Sequence, residues 1–589
     1  MSGSAVLSPR ESIRPQDRDG TSGDRAQRLL EAPRGYLTVD RRGRDLISQP
    51  LLNKGTGFTD EERDTFSIRG LLPARVMTIE EQVALELEHV RRKTDDLERY
   101  IGLAALQDRN ETLFYRVLTE NLEEFLPIVY TPTVGRACQE FSHIFRRMRG
   151  VWITPSDIDR IDDILRAASA DEIRLIVVTD NERILGLGDQ GAGGIPIPVG
   201  KLALYTAAAG IYPAWTLPIS LDVGTDRAEL LSDPLYLGYR APRLRGQAYA
   251  EFVEAFVESV RRVFPTAVLQ WEDFKQHNAL RILARYRHRL PSFNDDVQGT
   301  AAVVLGGLLA ARRDVGGLAG DRFLFLGAGA AAIGISGLLR KQLGADCAPV
   351  DQAGPMMAMM DHVGLVHAGR TNLADDQLPF AVDPQWFVEA GLSPAEFADP
   401  VAVARALKAS VLIGTTGCPG AFSEALVREV AQHAEAPIIL PLSNPGDRAE
   451  ARPADIFEWT DGRAIVATGS PNPDVELPGG RRIIGQANNV FIFPGVGLGA
   501  IVAEARELTD EAFLVAAREF SAMVSADRLA SGAMYPPIRD LRRIARTIAV
   551  AVVRQLRDSG YGRQFRDEEI APAVERAMWW PEYLPFVAG

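Results

Sequence analysis

Apolar and polar positions along the chain change period several times. From about 78 to 148 apolar residues recur at roughly 3.6 spacing with charges between them. The stretch reads IEEQVALELEHVRRKTDDLERYIGLAAL, then NETLFYRVLTENLEEFLPIVY with its pattern broken at Pro127. That period predicts helices with one buried face. RLIVVTD (174–180) is a short apolar strand ending in an acid. GLGDQGAGGIPIPVGK (186–201) is rich in Gly and Pro and reads as a loop, with a helix expected from KLALYTAAAGI onward. Between 321 and 470 strands and helices alternate. DRFLFLGAG, MAMMD, SVLIGTTG, PIILPLSNP and AIVATGS are apolar runs that stop at turn residues. Such runs predict parallel strands buried on both faces, hence an α/β fold. Ligands gather at the carboxyl ends of such strands. Beyond 500 the pattern is helical again, and MWWPEYLPF closes the chain.

A length of 589 residues predicts several domains. No run of about 18 uncharged apolar residues occurs, so no transmembrane helix is expected. Lys and Arg total 65 against 78 Asp and Glu, a net charge of −13. Such a chain repels nucleic acid and anionic membranes, and neither is expected as a partner. An anionic substrate would need local cations or a metal. The three cysteines, Cys138, Cys347 and Cys418, are isolated, which suits a reducing cytoplasm. Seven histidines without HExxH or paired Cys/His argue against zinc. Residues 1–35 mix Arg, Asp, Ser, Gly and Pro and read as a disordered tail, since acids interrupt any presequence pattern.

FLFLGAGAAAIGISGLLRKQL follows a predicted strand and opens a predicted helix, with Gly327, Gly329 and Ala332 in a GxGxxA pattern. The first glycine makes the tight turn, the second admits a pyrophosphate, and the small third residue lets helix pack on strand. The next strand ends at Asp361, where a carboxylate can bind both ribose hydroxyls and repel a 2′-phosphate. His362 and Val363 follow, with no Lys or Arg, so NAD is expected over NADP. The gap to Asp361 exceeds the usual ~20 residues, through a loop around Gly344–Pro355.

Two acidic pairs adjoin apolar residues: Glu272–Asp273 in VLQWEDF, and Asp295–Asp296 in SFNDDVQGT. Carboxylates converging from strand ends would suit Mg²⁺ or Mn²⁺. A solvated surface is the alternative from the pattern alone. The flanking Phe274 and Phe293 weaken it, because acids among buried-type residues need a counter-charge.

YTPTVG (130–135), VVTDNERILGLGDQG (177–191), IPVGK (197–201), LDVGT (221–225), FNDDVQGTAAV (293–303), FLGAGAAAIG (325–334), LSNP (442–445) and GQANNVFIFPG (485–495), in this order and spacing, resemble the malic enzymes over roughly 65–575. The resemblance implies a Rossmann-like NAD-binding domain with a parallel-sheet substrate domain and a helical N-terminal domain. The expected boundaries are a tail over 1–35, helical domain 36–148, substrate domain 149–294 and 489–558, NAD domain 295–488, and tail 559–589. It implies Tyr130 as general acid, Lys201 as general base and Asp295 as support for the lysine. Arg183 would bind a substrate carboxylate, and Glu272, Asp273 and Asp296 would hold the metal. Asn444 and Asn489 would line the substrate and nicotinamide site, with Asn488 beside the cofactor.

The reaction implied is oxidation of L-malate to pyruvate and CO₂ with NAD, by a homotetramer arranged as a dimer of dimers. Malolactic chemistry, yielding lactate with NAD retained, shares these motifs. A nucleotide-binding regulator without catalysis is a further alternative, which the intact Tyr130, Lys201 and four carboxylates oppose. Two departures stand out: Pro196 where glycine is usual, and Trp271 where Phe usually precedes the metal acids. Of two arginines that bind the activator fumarate in animal relatives, Arg109 matches one and Glu88 stands at the other, so fumarate activation is not expected.

Overall fold

The computed structural model describes residues 13–14, 31–147, 149–168, 172–184, 186–344 and 355–589. Most of the tail expected over 1–35, and most of the loop expected around Gly344–Pro355, lie outside the described residues. The chain forms two compact units, one of Met1–Phe274, Gly497–Arg506 and Leu556–Gly589, the other of Lys275–Val496 and Glu507–Gln555. No helix among the described residues is long and apolar enough to cross a membrane.

In the first unit, strand β1 (Leu37–Val39) pairs in parallel with the C-terminal strand Phe586–Ala588. Four helices follow: α1 (Ile79–Arg91), α2 (Asp96–Arg109), α3 (Glu111–Glu120) and α4 (Leu122–Val129). Local chemistry sets their starts. Thr78 and Glu81 form a capping box on α1, and the Asn110 side chain accepts from Leu113 N at the start of α3. Helix α4 runs two residues past Pro127 and ends at Tyr130. The carbonyl that loses a donor there belongs to Glu123, an exposed residue that water can satisfy.

Beyond α5 (Thr133–Gln139) come the parallel strands β2 (Val151–Ile153), β3 (Leu175–Thr179), β4 (Thr216–Leu221) and β5 (Val268–Trp271). Within this unit they lie side by side in the order β2-β4-β3-β5. Every residue of β3 and β5 is buried, as their mostly apolar runs predict. Helix α6 (Pro196–Ala209) covers the sheet and is buried on nearly every side, and α7 (Gly246–Val263) follows it. Here the loop expected over 186–201 is corrected. The helix begins at Pro196, so Lys201 lies within its second turn. Proline is tolerated in a first turn because those N–H groups have no intrahelical partner.

The second unit holds β6 (Ser292–Asn294), α8 (Thr300–Ala311), β7 (Phe323–Leu326), α9 (Ala330–Leu343), β8 (Met357–Asp361), β9 (Gly364–Leu365), β10 (Val411–Gly414), β11 (Ile438–Pro441), β12 (Ile465–Thr468), β13 (Gly485–Gln486) and α10 (Asp510–Ala522). Its seven-stranded sheet has the order β9-β8-β7-β10-β11-β12-β13. All neighbours are parallel except the β8–β9 hairpin. The chain winds outward from β7 to β8, then returns to β10 on the other side of β7. That reversal opens a crevice at the carboxyl ends of β7 and β10, where open α/β sheets bind ligands.

A buried ion pair ties the lower edge of this sheet together. Arg312 donates from Nε and Nη2 to both oxygens of Asp321 at 2.8 and 2.9 Å. Ser410 donates to the same carboxylate, and Arg312 reaches Ala436 O. Asp321→Ala leaves a buried guanidinium uncompensated, a loss of about 3 kcal/mol. We expect the unfolding free energy from denaturant titration to fall by that amount, with a lower midpoint; an unchanged midpoint contradicts this role.

Candidate active site

In the first unit the predicted residues meet at the carboxyl end of β5. Lys201 Nζ lies 3.0 Å from Glu272 Oε1, with both side chains 2% exposed. The Tyr130 hydroxyl stands 3.5 Å from the same oxygen, and Lys201 Nζ is 5.2 Å from the Tyr130 ring centroid. Gln270 Nε2 donates to Glu272 Oε2 at 2.7 Å, and the Tyr205 hydroxyl donates to Gln270 Oε1. Strand period places Gln270 and Glu272 on one face, and helix period places Lys201 and Tyr205 one turn apart. Gln270 and Tyr205 went unnoticed in the sequence, because only the pairing of α6 with β5 reveals them. The sole local signal was a polar residue inside an apolar run. Asp273 is buried and adopts φ +57°, turning the chain sharply after the strand. Adjacent buried carboxylates with hard oxygens form a donor set that fits Mg²⁺ or Mn²⁺.

The TDNER segment follows β3. Asn181 N donates to Thr179 Oγ1, and its Nδ2 to Ser220 Oγ on β4. Arg183 N donates to Asp273 O at 3.0 Å, while the Arg183 side chain is exposed. Arg243 clamps the segment: it donates to Asp180 O and takes both oxygens of Asp189. Asp180 accepts from the Tyr249 hydroxyl at 2.6 Å. Burial pushes its carboxyl up to about 6 from 3.8, with Arg243 pulling the other way.

In the second unit the NDDVQGT residues build a turn between β6 and α8. Asn294 Oδ1 accepts from Val297 N, and Gln298 Oε1 accepts from Asn294 N. Asp295 is fully buried; its Oδ2 and its carbonyl accept from Asn489 Nδ2 at 3.1 and 3.2 Å. Position 299 must be glycine, since a Cβ there would lie 1.9 Å from Asp295 Oδ1. Asp296 is half-buried beside Asp295. Asn488 Oδ1 caps the next turn by accepting from Val490 N. Asn444 is exposed on the loop after β11 and accepts from Ser470 Oγ at 2.8 Å.

The glycine turn lies in the crevice between β7 and β10. Gly327 has φ +108°, and a Cβ there would sit 2.8 Å from Thr415 O. Gly329 caps α9, whose N-terminal N–H groups suit a phosphate, and Ala332 is fully buried beneath them. Glu450, fully buried and unnoticed in the sequence, accepts from Thr416 N, Thr416 Oγ1 and Ser443 Oγ. It thereby joins the loops after β10 and β11. Asp361 is not an open strand-end acid. Arg370 grips both its oxygens at 2.9 and 2.8 Å. Burial raises this carboxyl, but Arg370 and the turn N–H groups outweigh it and hold it below the usual range.

Two family models match the chain: malic enzyme, N-terminal domain, over residues 107–287, and malic enzyme, NAD binding domain, over residues 297–557. A protein of Aeromonas salmonicida named NAD-dependent malic enzyme is 46% identical over 552 residues, covering 93% of this chain and 97% of that relative. A protein of the same name from Pseudomonas aeruginosa is 44% identical over 562 residues, with 95% and 99% covered. The solved malic enzyme of Entamoeba histolytica is similar in fold, with a TM-score of 0.55 and 24% identity over 77% of this chain and 80% of that one.

Two outcomes follow from these contacts. Gly327→Ala forces a side chain into the left-handed region and against Thr415 O, so NAD affinity in equilibrium binding should fall at least about tenfold. Wild-type affinity would show that the turn tolerates the change. Asp180 keeps its proton in the folded protein at pH values where the unfolded chain has released it. Its contribution to stability is therefore full below pH 3.8 and is lost as pH rises through about 6. Asp180→Asn should gain thermal stability relative to wild type between pH 4 and 7, and a pH-independent difference contradicts the shift.

Proposed function

The chain belongs to the malic enzyme family, and from that premise we propose that it converts L-malate and NAD to pyruvate, CO₂ and NADH. The observation that carries this reading is the buried Lys201–Glu272 pair with the Tyr130 hydroxyl beside it. A lysine, a tyrosine hydroxyl and a buried carboxylate stand together at one strand end, which suits a base, an acid and a metal ligand. Malate needs all three: a proton leaves the C2 hydroxyl, and later a proton must reach C3.

In this reading Lys201 gives up its own proton before it acts, its neutral Nζ takes the C2 hydroxyl proton, and Asp295 supports that step. Arg183 binds a substrate carboxylate with its exposed guanidinium, and Asn489 lines the substrate. The ligands of a divalent cation, Mg²⁺ or Mn²⁺, would be Glu272, Asp273 and Asp296. When bound, the cation polarises the C2 oxygen and NAD accepts the C2 hydride. Gln270 and Tyr205 hold Glu272 in place. After CO₂ departs, the Tyr130 hydroxyl protonates C3 of enolpyruvate, and Lys201 beside it returns a proton to the phenolate. Gly327, Gly329 and Ala332 seat the pyrophosphate, Asp361 the adenosine ribose, and Asn444 and Asn488 line the cofactor. We also propose a cytoplasmic homotetramer, on the isolated cysteines and the family resemblance.

Purified protein with L-malate, Mn²⁺ and either NAD or NADP should yield pyruvate and NADH in equal amounts, with NADP used poorly. Lactate without NADH would overturn the reading in favour of malolactic chemistry. Lys201→Ala and Asp296→Asn should each lower kcat more than about 100-fold with circular dichroism unchanged. Near-normal turnover in either folded variant overturns the site assignment.

A further inference from the structure

Arg183 stands on a short loop after β3, and two other arginines of the same unit fix that loop. It begins at Asn181, which turns the chain at φ +64°, and closes where Gln190 N donates to Asn181 O at 3.0 Å. Ile184 and Gly188 pair across it. Arg243 binds both feet. Its Nη1 donates to Asp180 O at 2.8 Å before the loop, and its Nε and Nη2 donate to Asp189 Oδ2 and Oδ1 at 3.2 and 2.6 Å near its end. Asp189 also accepts from Gly191 N and Asp226 N, so each of its oxygens has two donors and is saturated.

Arg245 holds the residue next to Arg183. The stretch that carries both arginines lies alongside the chain after β4, with Thr225 N donating to Ala241 O and Leu244 N to Val223 O. An extended chain puts positions two apart on one face, so Arg243 and Arg245 both turn toward the loop. Arg245 Nη1 donates to Glu182 Oε1 at 3.0 Å, and its Nη2 to Asp226 Oδ2. The Glu182 side chain is 6% exposed and that of Arg245 is 49% exposed. Arg183 itself is pinned only through its backbone in these contacts, by its N–H to Asp273 O at 3.0 Å.

Two consequences bear on Arg183. Glu182 is its neighbour in the chain, and Arg245 answers that negative charge so that Arg183 is not needed for it. An exposed arginine also loses side-chain freedom when it grips a ligand. A loop already fixed adds nothing to that cost, whereas a loose one would have to be ordered at the same moment. Resting on the reading that Arg183 binds a malate carboxylate, we propose that Arg245 is a positioning residue for Arg183, and that through Glu182 it sets the affinity for malate. The carboxylate is charged in malate and stays charged while the C2 hydride leaves. Its contact with Arg183 is therefore equal in ground and transition states, and loss of Arg245 falls on KM and spares kcat.

Steady-state kinetics of the purified full chain with L-malate, Mn²⁺ and NAD test this. Arg245→Ala should raise KM for malate at least about fivefold with kcat within about threefold of wild type. Equilibrium binding of NAD without malate should be unchanged. Arg245→Gln, which removes the charge and keeps much of the length, should shift KM the same way if the alanine variant folds poorly. Arg245→Lys, which keeps the charge beside Glu182, should recover part of the loss. In an Arg183→Ala background, Arg245→Ala should change KM less than about twofold, because the group it positions is gone. An unchanged KM, a loss that falls on kcat, or a full further rise without Arg183 overturns the proposal. Arg183→Ala with a wild-type KM would instead overturn the underlying assignment of Arg183, and the proposal with it.

Discussion

Lys201 and Glu272 face each other at 3.0 Å with almost no solvent contact. Taking either charge out of water alone would cost several kcal/mol. The pair needs further partners, and Glu272 draws them from the two elements that carry it. Gln270 sits two positions before Glu272 on β5, and Tyr205 one turn beyond Lys201 on α6. That requirement reaches outward. Apart from Lys201, Tyr205 and Thr206, the buried residues of α6 are apolar or glycine, and every residue of β5 is buried. The hydrophobic character of this region is thus a condition for holding one lysine and one glutamate face to face.

The second unit meets a similar condition with backbone instead of charge. Chain segments there approach so closely that a side chain would collide with a neighbouring polar group. At Gly327 that neighbour is the Thr415 carbonyl, and at Gly299 it is the Asp295 carboxylate. Glu450 then spans the loops after β10 and β11 from below, accepting several donors with one carboxylate. Glu450 thereby fixes the loops that form the rim of the crevice. A bound phosphate meets N–H groups at the start of α9 that are in place before it arrives.

Much of this was legible one residue at a time. The five parallel strands between Phe323 and Thr468 were visible as apolar runs, because parallel strands buried on both faces leave that trace, and the short β9 was not. The GxGxxA turn and the paired acids were visible because their chemistry is local. The start of α6 was not, since the prolines that usually mark loops are also the residues a first helical turn accepts. Tyr205 and Gln270 were hidden for a different reason: each is ordinary in its own segment and gains its role only where helix meets strand. Asp361 was found, but its partner was not. Arg370 follows the β8–β9 hairpin, and no local period links a strand-end acid to a residue nine positions further on.

Charge accounting links these features. A chain with net charge −13 that takes anionic ligands must keep cations local, yet an open cation attracts any anion. Here the cations at the strand ends are held in specific pairs: Lys201 with Glu272, Arg243 with Asp189, and Arg370 with Asp361. The Arg183 side chain is exposed. A paired cation is nearly neutral at a distance and has few donors left, so it responds to the number and placement of a ligand's groups more than to its total charge.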